Sequence, residues 1–526
     1  MPQRAVAGAL LLLFALAGCG RPAAPAHVLR LALALDPTSL SPLAAFDQNQ
    51  IALTQFWCQT LVGLDERNRF VPILVTRVPS RANGDVSPDG LRIVYHLRRD
   101  VRFADGAPLE AADVAFTYRA ILDPANAAVG DAYRRVAALT TPDARTVVVR
   151  LRRPWSAAVH VLFAQADFAY GILPRRAFTG TKVAGSAWER HAFGTGPFRV
   201  VAWRRGESIE LEPNPFFRPR PRLERILARI LPDQTAAFNA LRTGAVDAAE
   251  LNPDNAGAAA NAPGVRVVRT PENGLRAFYL QTAAAPTSDV RVRRAIAYAL
   301  DLRGLSRAWH GFYPAARSVF PAPVATWRHP QPPAYPHDLA RAAALLDAAG
   351  WRLRGNLRYR GGMPLSLDIG FGATLSDAAR IAVIAQEQLA RMGAIVTVKG
   401  YAPNVFSSPA GPLRTGRFAL TPAALIGGSD PEQSLNLQCA QAADGGENYA
   451  RYCSPRFETA FADQLRATSD GRRQRDFETI DRIVHDDVPL VPLYDLVYTE
   501  GVSQRVTVYR RNMLRYPVRP QEWDVR

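Results

Sequence analysis

One continuous stretch of this chain, from Ser87 to Tyr118, carries the residue pattern of a turn, a strand, a second turn and a helix. It opens with Ser-Pro-Asp-Gly, which has turn chemistry because proline fixes φ and glycine accepts a positive φ. Every second residue from Leu91 to Leu97 is apolar, which is the period of a half-buried strand. Asp105-Gly106 marks the second turn, and Ala112 to Tyr118 is predicted to be helical. A strand and a helix in such close succession predict an α/β fold.

The same alternation of strands and helices continues along the rest of the chain. Glycine follows several of the predicted helices, where it can adopt the left-handed conformation that ends a helix. The proline-dense segment from Pro321 to Pro336 is predicted to be an extended surface connection. Further strands are predicted at 146–151, 198–203, 208–212 and 395–398, and further helices at 233–243, 289–300, 339–349, 376–392, 455–467 and 472–486.

Residues 1–18 have the layout of a secretory signal peptide. Arg4 supplies a positive charge, and the apolar run after it is shorter than the roughly 20 residues of a membrane-spanning helix. The run ends in Leu16-Ala17-Gly18-Cys19, which resembles a bacterial lipobox, so Cys19 would be lipidated and residues 19–27 would form a tether. The alternative is an ordinary signal peptide that happens to contain a cysteine. No later apolar run approaches spanning length, so we expect an exported protein that is anchored at the cell envelope by its lipid.

The formal charge of +17 raises the question of a nucleic acid or another anionic partner. Only Lys182 and Lys399 are lysines among the 64 basic residues, and the arginines are scattered along the predicted elements. Nucleic-acid binding uses a concentrated basic patch or stripe, so this distribution argues against a nucleic-acid partner. Attraction to anionic envelope lipids or to an acidic partner stays open, and salt would screen it.

The order of residues in Ser87–Tyr118 resembles a signature of the family 5 extracellular solute-binding proteins, the peptide, dipeptide and nickel receptors of ABC importers. That signature is close to SPDG-(strand)-HLR-x-x-V-x-F-x-DG-x-P-L-x-A-x-DV-x-F. Most Gly, Pro and Val positions of such motifs set turns and core packing, so they identify a fold without defining a site. Further matches are Asp36-Pro37 with Leu40-Ser41-Pro42, Leu61-Val62-Gly63-Leu64, Gly194-Thr195-Gly196-Pro197-Phe198, Asn214-Pro215-Phe216-Phe217, Gly244-Ala245-Val246-Asp247, Val290–Ile296 with Tyr298–Asp301, and Leu345-Leu346 with Ala349-Gly350.

The resemblance implies an α/β fold with two lobes, similar to the type II periplasmic binding proteins, with an extra inserted domain. Ligand would bind in the cleft between the lobes and would be buried when a hinge closes them. Lobe I would combine residues 28–62, 193–275 and 496–526, the inserted domain would be residues 63–192, and lobe II would be residues 276–495.

The function implied by the resemblance is that of the substrate-binding lipoprotein of an ABC importer. Such a protein captures oligopeptides or dipeptides and delivers them to a membrane permease. It would work as a monomer with separate permease and ATPase subunits, on the periplasmic face in a two-membrane bacterium. Two alternatives stay open: a non-peptide ligand (a nickel chelate, an opine or a sugar derivative), and an orphan receptor or chaperone lipoprotein with the same fold.

The segment from Leu425 to Pro431 departs from the family pattern. Peptide-binding relatives carry a motif like A/G-D-x-x-D/E-P, whose first Asp pairs with the α-amine of the ligand. Here Gly427 occupies the first acidic position and Asp430 the second. Asp430 would either replace the missing carboxylate after a local shift or take the turn or N-cap role that Asp-Pro favours. The candidate cleft residues are Phe46, Trp57, Trp309, Ser429, Asp430, Asn436 and Tyr449, and each aromatic residue among them also fits a core position.

Three cysteines remain once Cys19 is assigned to the lipid. Dipeptide-binding members of the family carry two cysteines in the region of Cys439 and Cys453, so the resemblance implies a disulfide between them, which an exported chain permits. Closing a loop of about 15 residues contributes ~3 kcal/mol in the loop-entropy estimate. Cys58 is then expected to be a buried free thiol.

The main alternative to a binding protein is an enzyme, and the sequence argues against an enzyme. No G-x-S-x-G, H-E-x-x-H or G-x-x-x-x-G-K-[ST] motif occurs in the chain. The eight histidines are dispersed, without a pair at helical spacing, so a protein-built zinc site is not predicted. We expect a binding protein without catalytic residues, metal or cofactor.

Overall fold

The computed structural model describes residues 27–45, 47–126, 128–309, 311–321, 335–373, 376–434 and 436–526. The predicted signal peptide, Cys19, most of the tether, Phe46 and most of the proline-dense segment lie outside these residues. The described strands are β1 (Val28–Leu33), β2 (Val62–Leu64), β3 (Phe70–Pro72), β4 (Arg92–His96), β5 (Val136–Asp143), β6 (Thr146–Leu151), β7 (Phe198–Arg204), β8 (Ser208–Pro213), β9 (Arg225–Ile230), β10 (Ala248–Glu250), β11 (Val265–Leu280), β12 (Arg352–Arg354), β13 (Leu357–Arg360), β14 (Met363–Pro364), β15 (Ser366–Gly372), β16 (Ile395–Tyr401), β17 (Leu420–Ile426), β18 (Leu490–Ser503), β19 (Val506–Val508) and β20 (Asp524–Val525).

Helices alternate with these strands. The described α-helices are α1 (Gln48–Thr54), α2 (Ala111–Leu122), α3 (Asp131–Arg134), α4 (Ala158–Val161), α5 (Gln234–Arg242), α6 (Pro253–Ala259), α7 (Val290–Ala299), α8 (Leu302–Arg307), α9 (Leu339–Ala348), α10 (Ser376–Ala390), α11 (Pro403–Phe406), α12 (Pro412–Thr415), α13 (Pro455–Arg466) and α14 (Asp470–Asp487).

The predicted strands and helices are confirmed, with ends that differ by a few residues. β6 spans the predicted residues, and α2 extends the predicted helix to Leu122. The two ends of helix α5 are set by residues next to them in the sequence. The Asp233 carboxylate accepts a hydrogen bond from the Ala236 N–H at its start, and Gly244 follows its end with a φ of 72°.

A ten-stranded mixed sheet forms the centre of the molecule, in the order β16-β15-β17-β11-β18-β10-β1-β9-β8-β7. The two long strands β11 and β18 pair antiparallel in its middle. Parallel pairs lie on both sides of them, β1 with β9 and β10 on one side, and β15 with β16 and β17 on the other. The chain therefore crosses between the two halves of the sheet along β11 and β18.

The pairing of these two crossing strands is interrupted at one point. Pro271 pairs with Val497 and Leu275 pairs with Asp495, so that Glu272–Gly274 lies opposite Leu496 alone. Before this irregularity β18 runs beside β10, and after it β11 runs beside β17. An irregular segment of a few residues between two packed halves is the kind of place where a hinge motion is absorbed.

Separate apolar cores lie on the two sides of the interruption. The core on the β1 side contains Trp57 of lobe I together with Tyr95 of the inserted segment. Two cores lie on the β17 side, one containing Phe278 and the other Leu275, which are three positions apart on β11. Within the inserted segment, β4, β6 and β5 form a small antiparallel sheet that packs against α2. The boundaries of the lobes at the residue numbers given above stay predictions.

None of the described helices has the combination of length and apolar character that a membrane span requires.

Candidate ligand-binding cleft

The irregular segment Glu272–Gly274 is tied to the loop that follows β17. The backbone carbonyl of Asn273 accepts a hydrogen bond from the Gly427 N–H at 2.7 Å, and its side-chain Nδ2 donates to the Gly428 carbonyl at 2.5 Å. Asn273 is buried, and its Oδ1 has no hydrogen-bond partner among the described residues. The position that carries the first Asp in peptide-binding relatives therefore lies beside this irregular segment, which we call the hinge after its place between the two halves of the sheet.

An arginine from the C-terminal tail reaches the hinge from the lobe I side. Arg515 Nη2 donates to Glu272 Oε2 at 3.1 Å, and its Nη1 lies 3.6 Å from Glu250 Oε1 at the end of β10. Its guanidinium lies 4.5 Å from the ring centre of Tyr498 on β18. Burial opposes the charge of Arg515, but Glu272 and Glu250 raise its pKa well above the usual range. One guanidinium thus serves two carboxylates beside the hinge.

A cluster of aromatic and charged side chains lies on the lobe II side. Arg276 Nη2 donates to Asp377 Oδ2 at 2.5 Å, and the Tyr494 hydroxyl donates to the same oxygen at 3.0 Å. The Tyr313 ring stacks on Tyr494 with 4.8 Å between centres, and Trp309 packs edge-on against both rings. The Arg276 Nε has no hydrogen-bond partner in the described part of the chain. This cluster offers rigid aromatic walls and one guanidinium N–H that is still unsatisfied.

Burial raises the pKa of two carboxylates, Asp167 of the inserted segment and Asp495 of β18. Burial, reinforced by the negative charge of Glu447, raises the pKa of Asp167 to about 6. Burial also raises the pKa of Asp495, opposite Leu275 at the hinge, to about 6. Within the described residues neither side chain has a basic partner within 4.0 Å, and the backbone carbonyl of Asp167 accepts a hydrogen bond from the Tyr516 hydroxyl at 3.2 Å. A cationic group of a ligand next to either carboxylate would offset the cost of burying its negative charge.

Ser429 and Asp430, two of the predicted cleft residues, contact the inserted segment. Ser429 Oγ donates to the His160 carbonyl at 2.7 Å, and His160 Nδ1 lies 2.9 Å from Asp430 Oδ2. Arg473 on α14 donates to both oxygens of Asp430, at 2.6 and 2.7 Å. Burial opposes the charge of Asp430, but Arg473 and His160 hold its pKa well below the usual range. Asp430 Oδ1 also accepts from the Glu432 N–H at 3.0 Å, which is the turn role that Asp-Pro favours.

More polar contacts extend this junction. Trp155 Nε1 donates to Glu432 Oε2 at 2.6 Å, and Arg135 Nη1 donates to the other oxygen of Glu432 at 3.1 Å. Ser156 Oγ donates to the Gln464 carbonyl at 2.8 Å. We call this set the polar seam: it joins Arg135, Trp155, Ser156 and His160 of the inserted segment to Ser429, Asp430, Glu432, Gln464 and Arg473 of lobe II.

Tyr449 lies within the loop that Cys439 and Cys453 close, and Asn436 lies just before that loop. Asn436 Nδ2 donates to Glu447 Oε2 at 2.9 Å, and the Tyr449 ring packs edge-on against Tyr279 of β11 at 5.3 Å. Glu447 is the residue whose charge acts on Asp167. Asn436 and Tyr449 therefore lie on the same side of lobe II as Glu447, whose charge raises the pKa of Asp167.

Cys439 and Cys453 are joined by a disulfide, the pair that the resemblance implies. Cys58 is a buried free cysteine, and burial raises the pKa of its thiol well above the usual range. The thiol is therefore protonated and shielded at neutral pH.

Trp57 and Trp309 are not brought together by the fold. Trp57 is fully buried in the core on the β1 side, whereas Trp309 is buried in a core of lobe II, with the Arg380 guanidinium 4.5 Å from its ring centre. The indole N–H of each has no hydrogen-bond partner among the described residues. The ligand-binding role of Trp57, Trp309, Ser429, Asp430, Asn436 and Tyr449 stays a prediction, and Phe46 lies outside the described residues.

Sequence reasoning missed Asp167 and the hinge-side residues Glu250, Asn273 and Arg515. Asp167 had a usable signal, because it is the single carboxylate within the largely apolar run from Ala157 to Leu173. The other three had none, since their partners are distant in sequence: Arg515 meets Glu272 across 243 positions, and Asn273 meets Gly428 across 155.

With this geometry in hand, comparison with known proteins identifies the family. Residues 69–445 match the family described as "Bacterial extracellular solute-binding proteins, family 5 Middle", which is more than half of the chain. The chain belongs to this family. Its members are the substrate-binding receptors of ABC importers, and they bind small molecules or peptides.

Two characterised relatives illustrate the range of ligands. The chain is 27% identical over 384 residues to the glutathione-binding protein GsiB of Salmonella choleraesuis, which covers 71% of this chain and 69% of that protein. It is 24% identical over 480 residues to the di/tripeptide-binding protein 2 of Pseudomonas aeruginosa, which covers 84% of this chain and 85% of that protein.

A solved structure establishes the fold class predicted from the sequence. NikA from Brucella suis, in complex with Fe(III)-EDTA, superposes with a TM-score of 0.82 at 20% identity, covering 95% of this chain and 100% of that one. The fold is that of the two-lobed periplasmic binding proteins of family 5, with mixed α/β structure and one large sheet.

Proposed function

We propose that this chain is the peptide-capturing lipoprotein of an ABC importer, with a preference for short peptides that have a free amino terminus. The protein would be a monomer without catalytic activity that delivers its ligand to separate permease and ATPase subunits. Membership of family 5 supports the receptor role, and the relative named as a di/tripeptide-binding protein supports short peptides as the ligand class.

The observation that carries the preference for an amino terminus is the state of Asp167. This carboxylate has no basic partner in the described part of the chain, burial and Glu447 raise its pKa to about 6, and it neighbours the cysteine-closed loop of lobe II. An ammonium group would form a charge-assisted hydrogen bond with it and offset the repulsion from Glu447. Asp167 would thereby supply the carboxylate that the chain lacks at Gly427.

The domain division that the family resemblance implies is part of this proposal. Residues 28–62, 193–275 and 496–526 would move as lobe I, with residues 63–192 carried on it, and residues 276–495 as lobe II. Glu272–Gly274 and Leu496 would form the hinge. The polar seam would then join the inserted domain to lobe II in the closed form.

Thermal unfolding of the full chain, purified in mild detergent, tests the ligand class. Di- to pentapeptides with free amino termini are compared with their N-acetylated counterparts. A ligand at 100-fold its Kd adds about 2.7 kcal/mol of stability, which raises Tm by several degrees. We expect the free peptides to raise Tm and the acetylated peptides to raise it much less. Equal shifts would contradict amine recognition, and no shift with any peptide would contradict peptide capture.

A non-peptide solute is the second candidate, and Gly427 favours it. The peptide-binding relatives use a carboxylate at that position, and the superposed structure of NikA was solved with Fe(III)-EDTA. A metal chelate, such as a nickel–histidine complex, belongs in the same panel for this reason. A rise in Tm with the chelate alone would replace the peptide proposal with the metal-chelate alternative.

The lipid anchor is tested separately from the ligand. The Cys19→Ala variant and the unchanged chain are expressed in a bacterial host, and membrane and soluble fractions are compared by immunoblotting. We expect the unchanged chain in the membrane fraction and the variant in the soluble exported fraction. Equal fractionation of the two would contradict lipidation of Cys19.

A further inference from the structure

A cavity of ligand size lies away from the hinge, on the lobe I side of the molecule. Its volume is about 500 Å³, within the range of small-molecule pockets. It is enclosed by the end of α1 and β2–β3, by the loop after β4, and by the segments 216–219 and 517–521. None of the residues of the polar seam or of the hinge lines it. Whatever occupies this cavity would not compete directly for the cleft.

The floor of the cavity contains a buried hydroxyl group without a partner. Gly194 and Gly196 press against the backbone just after α1, since an added Cβ would lie 2.3 Å from the Trp57 carbonyl oxygen and 2.4 Å from that of Phe56. Thr195 lies between these two glycines and lines the cavity. It is 1% exposed, and its Oγ1 has no hydrogen-bond partner among the described residues. An unsatisfied buried hydroxyl is costly unless a ligand or ordered water completes it.

Arginines outnumber carboxylates along the walls by five to two. The two acidic residues are already neutralised by neighbours. Arg69 forms an ion pair with Asp65 at 2.8 Å, and burial is outweighed by the backbone and side-chain hydrogen bonds that lower the pKa of Asp65. Arg98 pairs with Asp100 at 2.6 Å, which lowers the pKa of that carboxyl. The positive charge of the remaining arginines is therefore not cancelled within the cavity.

Two of those arginines contact backbone carbonyls instead of carboxylates. Arg102 Nη1 donates to the Gly106 carbonyl at 2.9 Å, and Arg218 Nη1 donates to the Pro215 carbonyl at 2.8 Å. No carboxylate of the described residues lies within 4.0 Å of either guanidinium, whereas Arg519 pairs with Glu66 at 3.1 Å. Arg102 and Arg218 are both exposed, so they lie at the mouth of the cavity and have N–H groups left to donate to a ligand.

We propose that this cavity binds a small organic anion whose carboxylate or phosphate group contacts Arg102 and Arg218 and whose hydroxyl group contacts Thr195. Hydroxycarboxylates and sugar phosphates share this chemistry. The apolar side chains of Ile73, Val101 and Phe217 would pack against the carbon body of the ligand. The site is independent of the cleft and of the peptide proposal.

Isothermal titration calorimetry of the full chain tests the proposal, with citrate and glucose 6-phosphate as anionic probes and glucose as the uncharged control. We expect the anions to bind with an affinity that falls as salt rises, and glucose not to bind. Tighter binding of citrate would indicate a carboxylate ligand, and tighter binding of glucose 6-phosphate would indicate a phosphate ligand. Absence of binding by both anions would overturn the proposal.

Two variants locate the site. The Arg102→Gln/Arg218→Gln double variant is expected to weaken the binding of the anion about tenfold, because charge-assisted hydrogen bonds are lost. Thr195→Val keeps the shape, removes the unsatisfied hydroxyl and is expected to leave Tm unchanged or raised while it weakens the anion severalfold. Arg176→Gln, at an exposed arginine outside the cavity, is the matched control and should leave affinity unchanged. Unchanged affinity in the double variant, or competition between the anion and a peptide that binds the cleft, would place the anion elsewhere and overturn the proposal.

Discussion

Arg473 and Asp430 form a bidentate ion pair in which the two guanidinium nitrogens lie 2.6 and 2.7 Å from the two carboxylate oxygens. The side chains are 2% and 0% exposed. Because His160 of the inserted segment contacts the same carboxylate, the pair connects α14, the loop after β17 and α4. Asp430, which the family motif suggests as a ligand contact, thus has a structural role, and both of its carboxylate oxygens already have protein partners.

Replacing Arg473 by Gln is expected to destabilise the protein by about 3–5 kcal/mol, because it leaves the buried Asp430 carboxylate without its main counter-charge. Urea unfolding at pH 7 measures the change. Arg475→Gln, at an exposed position on the same helix, is the control and should change the unfolding free energy by less than about 0.5 kcal/mol. A loss below about 1 kcal/mol for Arg473→Gln would contradict the importance given to the pair.

Breaking the disulfide with the Cys439→Ala/Cys453→Ala double variant is expected to lower the unfolding free energy by ~3 kcal/mol, since the bond closes a loop of sequence separation 14. Calorimetric unfolding with and without a reducing agent measures it. Reduction should lower the Tm of the unchanged chain and leave that of the double variant as it is. Equal Tm values for the oxidised chain and the variant would refute the prediction.

The pH dependence of ligand affinity provides a test of Asp167. Its folded-state pKa is raised to about 6, so the carboxylate is ionised above that pH and neutral below it. An ammonium ligand binds the ionised form, and affinity for free-amine peptides is therefore expected to rise as pH increases through about 6. In Asp167→Asn the affinity should be about tenfold weaker at pH 7.5, and this rise should be absent.

Calorimetric titration between pH 5 and 8 checks both expectations, with N-acetylated peptides as the ligand control. A pH profile that is the same in Asp167→Asn and in the unchanged chain would show that another group binds the amine. The same raised pKa has the opposite effect on folding stability. The folded state keeps the proton of Asp167 to a higher pH than the unfolded state, so the free energy of unfolding falls as pH rises from about 4 to about 6.

Gly427→Asp restores the first carboxylate of the motif seen in peptide-binding relatives. We expect affinity for free-amine peptides to increase about tenfold, because an additional carboxylate would lie at the hinge beside Asn273. Gly427→Asn tests size without charge and should not increase affinity. Equal or weaker binding by Gly427→Asp in calorimetry would count against the alignment of Gly427 with the amine-binding position.

Much of the fold was predictable because its signals are local. Alternation of apolar residues encoded β4 and β6, and Asp233 and Gly244 encoded both ends of α5. The motif Gly194–Phe198 was predicted to serve turns and core packing, and the structure shows that Gly194 and Gly196 lie close against the backbone of Phe56 and Trp57. The cleft was less predictable, because a residue type and its neighbours do not reveal which distant groups it meets.

The sequence by itself determined the α/β elements, the caps and turns between them, the family and the cysteine pair, since each depends on neighbouring residues or on motifs in a fixed order. Only the tertiary structure decided what the polar residues do. It paired Asp430 with Arg473, set Arg515 against Glu272 from 243 positions away, and placed Asp167 with no counter-ion among the described residues. The physical reason is that burial and electrostatics depend on the distances between groups far apart in the chain, and those distances exist only after β11 and β18 have brought the two halves together.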